Sequence, residues 1–81
     1  MSSIDARERT SEIIKAFFEA NPDTRKWFAY KYESGEPLYN TITRIVIEMR
    51  IKGYALPDET RDVWDNRFCT IIANWPAQED E

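Results

Sequence analysis

Between Trp64 and Trp75 the large apolar side chains Trp64, Phe68, Ile71, Ile72 and Trp75 recur at i, i+4, i+7, i+8 and i+11, the spacing of one helix face. Just upstream, Leu56-Pro57-Asp58-Glu59 offers a proline and two acids, which suit a helix start because they complement its exposed N–H groups and dipole. Pro76 marks the end. The pattern predicts an amphipathic helix that must bury its apolar stripe against whatever the rest of the chain supplies.

A second stretch, Asp5 to Ala20, supplies a matching stripe. Thr10, Ile13, Ile14, Phe17 and Phe18 share one face, and Glu8, Glu12, Lys15 and Glu19 occupy the other. Asn21-Pro22-Asp23 breaks this helix, since proline disfavours helical geometry in the residue before it. The same tripeptide can start another helix, with Asn21 as its cap and Pro22 at its first position.

The middle of the chain is ambiguous by pattern. Trp27, Phe28, Tyr30 and Tyr32 in the segment Thr24 to Glu33 suit a short helix or a strand, because aromatic residues favour pleated surfaces. Ser34-Gly35-Glu36-Pro37 is a turn. From Leu38 to Lys52, Leu38, Ile42, Ile45, Val46 and Met49 make one helix face, with Arg44–Glu48 and Glu48–Lys52 as i,i+4 charge pairs. The same residues also alternate as a strand would. Length favours the helix, since strands usually run to about 5–6 residues. Lys52, Gly53 and apolar Tyr54 then read as a left-handed helix stop.

The expected fold is therefore mainly α: a small bundle of three long helices plus a short segment at 24–33. The alternative is α+β in an α-β-β-α order, with a hairpin turning at 34–37. Residues 1–81 are expected to form a single domain, with 1–4 and 77–81 as frayed ends.

Eighty-one residues leave no room for a second domain, and a chain of this size buries only about 60–65% of the surface its unfolded form exposes. Eleven aromatic residues offset that thin margin, and their presence argues against wholesale disorder. The single cysteine, Cys69, excludes an internal disulfide, whereas small secreted domains usually carry several. The polar first residues do not resemble a secretory signal, and no apolar run approaches the roughly 20 residues a membrane helix needs. A cytoplasmic location is expected.

The chain contains no histidine, which removes the commonest general base and a usual zinc ligand. Cys69 without histidine cannot form a Cys-His pair, and it reads as inert core material. Two glycines, Gly35 and Gly53, are too few for a phosphate-cradling loop, and no serine-nucleophile motif is present. Asp58, Asp62 and Asp65, expected along one face of the last helix, lack the convergent geometry a hard cation prefers. No enzyme activity, cofactor or metal is expected.

The net charge of −4 is unevenly spread. Residues 21–56 carry four acids and six bases, whereas 57–81 carry seven acids and two bases. The basic, aromatic segment 25–52 contains Arg25, Lys26, Lys31, Arg44, Arg50 and Lys52 among Trp27, Tyr30 and Tyr32. It could grip single-stranded nucleic acid by phosphate contact and stacking. Conversely, Asp58, Asp62 and Asp65 with the tail Glu79-Asp80-Glu81 could imitate phosphates, although eleven basic residues dilute that field. The Met49 to Val63 region has a helix–turn–helix outline, but Pro57 and the acids after it suit base reading poorly.

One apolar surplus remains. On a helical 38–52, Ile47 and Ile51 point roughly opposite to Leu38, Ile42, Ile45 and Met49. A helix apolar on both sides is either central in its bundle or placed at an interface, and so small a chain has little room to enclose one. Trp75 at the rim of the last helix is a second candidate contact, since tryptophan is enriched at interface hot spots. The functional expectation is a protein-protein interaction module, a regulator or inhibitor that occludes a partner's surface. Its contacts would be Asp58, Asp62, Asp65, Ile47, Ile51 and Trp75, with a homodimer as one possible assembly. Nucleic-acid binding through 25–52, nucleic-acid mimicry by the acids, and service as a minor subunit of a larger complex are the alternatives.

Overall fold

A computed structural model describes residues 3–75, and these form four helices: α1 (Ser3–Ala20), α2 (Pro22–Glu33), α3 (Tyr39–Ile51) and α4 (Arg61–Ala73). The mainly helical expectation holds, with two differences in detail. The segment expected as a short fourth piece is a full helix of 12 residues, close in length to α3 and α4 at 13 each. No strand occurs among the described residues, so the α-β-β-α alternative and its hairpin at 34–37 are set aside. At the ends, Ser3 and Ile4 already belong to α1, while residues 77–81 lie outside the described range.

The join between α1 and α2 falls where the sequence places it, with Asn21 at the cap position and Pro22 opening α2. Asn21 stands immediately before Pro22, but its side chain makes no cap to α2. Its Nδ2 instead donates back to the Phe17 carbonyl at 2.9 Å, a second bond to an oxygen that already accepts the Asn21 backbone N–H at the end of α1. Its Oδ1 accepts from Lys52 Nζ at 2.8 Å, tying this corner to the far end of α3. With that side chain engaged elsewhere, the start of α2 rests on Pro22, whose fixed φ suits the first turn, and on Asp23 against the helix dipole.

The turn after α3 follows the sequence closely. Gly53 sits at φ +92°, its N–H donates to the Arg50 carbonyl at 3.1 Å, and the Tyr54 N–H donates to the Met49 carbonyl at 2.7 Å. This is a Schellman stop. Tyr54 then meets the Phe17 ring edge-on, with centroids 5.3 Å apart, so the same turn also anchors α3 to α1.

α4 begins later than the proline and acids suggest. Thr60, in extended geometry, is its cap, and the Thr60 Oγ1 accepts from the Val63 N–H at 3.4 Å. Leu56-Pro57-Asp58-Glu59 is instead connection, held by one contact from within α4 and one from α1. The Trp64 indole N–H donates to the Pro57 carbonyl at 3.2 Å, and the fully buried Thr10 hydroxyl donates to Glu59 at 3.0 Å. Asp58 therefore lies off the helix, and the expected row Asp58, Asp62, Asp65 does not run along one helix face.

α4 packs against all three other helices. The core draws Ile14, Phe17 and Phe18 from α1, Phe28 from α2, Ile42, Ile45, Val46 and Met49 from α3, and Phe68, Ile71 and Ile72 from α4. Phe18, Phe28 and Phe68 form a ring triangle with centroids 5.8–5.9 Å apart at its centre.

Candidate functional site

The α3 helix has more apolar surface than the bundle uses. Its core-facing residues Ile42, Ile45, Val46 and Met49 are buried, and on the opposite side Ile47 is 51% and Ile51 80% exposed. Leaving an isoleucine side chain in water forgoes roughly 1.5–3 kcal/mol of burial, so two on one face form an unpartnered patch. They stand four residues apart, hence one turn apart on the same side of the helix.

This patch borders a cleft of about 560 Å³ between α2 and α3. Asp23, Thr24 and Trp27 line it from α2, and Arg44, Ile47, Glu48 and Ile51 from α3. Trp27 is half-buried and packs against the core. The Arg44 guanidinium lies over its ring, 5.7 Å from the centroid. Of the two i,i+4 pairs expected on α3, Glu48–Lys52 forms at 3.0 Å, whereas Arg44 turns toward Trp27. The result is an apolar floor bounded by charges of both signs.

The other expected contact residues do not join this face. Trp75 follows α4 and packs edge-on against Phe18 at 6.0 Å, with the Arg25 guanidinium 5.2 Å above its ring. It helps line a separate cleft of about 470 Å³ between α1 and α4, with Ser11, Lys15, Glu19, Thr70, Ile71 and Asn74. Its buried indole N–H finds no acceptor among the described residues. Asp65 accepts from Arg61 Nε at 2.6 Å, which neutralises it locally, while Asp62 and Asp58 are exposed. Arg61 also donates to the Tyr39 carbonyl and stacks over the Tyr39 ring at 4.0 Å. This arginine thus fastens the start of α4 to the start of α3.

The basic segment is similarly engaged. Lys31 pairs with Glu36 at 3.1 Å and Lys52 with Glu48 at 3.0 Å, while Arg25 and Arg44 lie over indole rings. Cys69 is half-buried, and its thiol is pushed above the ordinary range, first by burial and then by the nearby Asp65 carboxylate. No group of three or more potential metal ligands converges among the described residues. No described helix is long and apolar enough to cross a membrane.

Pattern reading located Ile47 and Ile51 but missed Trp27, Asp23, Thr24, Arg44 and Glu48 as neighbours of the patch. Arg44 and Glu48 were within reach, because positions 44, 47, 48 and 51 share one side of a helix. The contribution of α2 depends on how two helices pack, and no local pattern signals it. Comparison with protein families, curated proteins and solved structures finds no match to this chain.

Proposed function

We propose that this protein is a small cytoplasmic interaction module that docks another protein on the outer face of α2 and α3, by binding rather than catalysis. The observation that carries the reading is the pairing of exposed Ile47 and Ile51 beside the Trp27 cleft. An apolar centre with a charged rim is the anatomy of a protein interface, where the apolar part supplies affinity and the rim supplies orientation. Four helices packed on one shared apolar core hold the face in place, which lowers the ordering cost of binding. A rigid face of this kind regulates by occlusion, covering a partner's working surface, and it needs no cofactor.

The test is a comparison of tagged wild-type protein with the Ile47→Asp/Ile51→Asp variant in nuclease-treated lysate of the native host. Both positions are exposed, so the variant is expected to keep wild-type helicity. A stoichiometric protein retained by the wild type and absent from the variant supports the docking face. A protein retained equally by both moves the site elsewhere on the molecule. Material lost on nuclease treatment transfers the reading to segment 25–52 as a nucleic-acid contact.

A further inference from the structure

We infer that the outer face of α3 is covered, in the free protein, by α3 of a second copy packed antiparallel across a twofold axis. The inference rests on the docking reading above and supplies its occupant.

Self-complementarity is the argument. A twofold axis crossing two antiparallel helices sets each flank against the same flank of the other copy. Arg44 and Glu48, four residues apart, share one flank of α3, on the side that faces the α2 cleft. Placing Ile47 against Ile47 of the second copy brings Arg44 within two residues of the level of Glu48 of that copy, about 3 Å along the axis at 1.5 Å per residue. The arginine side chain spans that offset. Symmetry repeats the pair, so one contact creates two opposite-charge pairs, one on either side of the dyad. The same register sets Ile51 of each copy level with Thr43 of the other, next to Arg44, whose guanidinium lies over Trp27. Both exposed isoleucines are thereby covered.

The groups that must rearrange do so easily. Glu48 is held by Lys52 at 3.0 Å, but both side chains are more than a third exposed, and such pairs are worth little. Arg44 already lies beside the cleft and needs no new backbone position. Two helices of 13 residues crossing once bury a small area, below about 1,200 Å² in total, the class of reversible complexes. A heterologous partner would compete for the same face, so dissociation of the pair would control access to it.

Sedimentation equilibrium across concentrations from about 1 μM to about 1 mM reads the assembly directly. The wild type is expected to pass from monomer to dimer, and Ile51→Asp to stay monomeric with unchanged helicity. Arg44→Glu, which sets two acids against each other, should weaken dimerisation by about tenfold or more, and the exchange Arg44→Glu/Glu48→Arg should restore it. A wild type that is monomeric throughout overturns the pairing. Equal dimerisation of wild type and Ile51→Asp also overturns it, since another face would then be used. A double exchange that fails to recover dimerisation overturns the antiparallel register. If self-pairing fails while lysate capture still depends on Ile47 and Ile51, only the occupant was wrong. If neither assay depends on them, the docking reading fails as well.

Discussion

Single residues settle two features of this molecule that can be tested apart from its function. Gly53 holds the end of α3 in left-handed geometry, and a Cβ there would meet nothing within 4 Å. The penalty for Gly53→Ala is therefore conformational alone, about 1–2 kcal/mol. Urea denaturation should show that loss without a change in slope, because no packing is disturbed. Cys69 is the second. Burial and Asp65 both favour its neutral form, so the folded protein holds the thiol proton more tightly than the unfolded chain does. Its contribution to stability is full below the unfolded thiol pKa and is lost as pH rises through the higher folded value. Alkylation by iodoacetamide at pH 8 should be slower in the folded protein than in urea, with its pH midpoint displaced upward. Asp65→Asn should bring that midpoint part of the way back. A folded-state rate equal to the denatured one would show that neither burial nor Asp65 acts on the thiol.

At the scale of elements, what the sequence makes legible is the interior of each helix, and what it hides is where tertiary contacts override a terminal signal. The stripes of α1 and α4 and the glycine stop of α3 could be read directly, because each depends on residues within two turns of one another. The start of α4 could not. Leu56-Pro57-Asp58-Glu59 has the composition of a helix entrance, yet Thr10 takes Glu59 and Trp64 takes the Pro57 carbonyl, and both partners are distant in sequence or lie beyond the boundary. Asn21 does occupy the cap position of α2, but its side chain bonds to the Phe17 carbonyl and to Lys52 from across the fold, which no local pattern signals. The α2 segment was ambiguous because Tyr30 and Tyr32 remain exposed and only Phe28 is buried, so its aromatics carry little periodicity. The corrected boundary has a measurable consequence. Thr60→Ala should cost about 1 kcal/mol as a lost cap, whereas Asp58→Ala, outside the helix, should stay within about 0.5 kcal/mol of wild type. Were α4 to begin at Pro57, thermal unfolding would rank the two variants the other way.

At the scale of the whole molecule, the exposed face of α3, which we propose as the docking face, and the core draw on one excess of apolar residues. The excess on α3 was visible in the sequence because Ile47 and Ile51 lie opposite a complete core stripe, while the cleft beside them exists only once α2 packs alongside. The core itself converges on α4. Phe68 is fully buried and touches the rings of both Phe18 and Phe28, so it joins α1, α2 and α4 at one point. Truncation to alanine at such a site costs about 3–5 kcal/mol. A domain of 81 residues has roughly 4–12 kcal/mol in total, so the variant should lose much of its stability. The loss should also be global. Because α4 contacts every other helix, its loss strips packing from each of them at once. Far-ultraviolet dichroism and tryptophan fluorescence of Phe68→Ala should therefore decline along a single curve in urea, displaced to lower concentration than in the wild type. Separate transitions, with helicity outlasting the burial of Trp27 and Trp64, would mean that α4 is an appendage and not the centre of the fold.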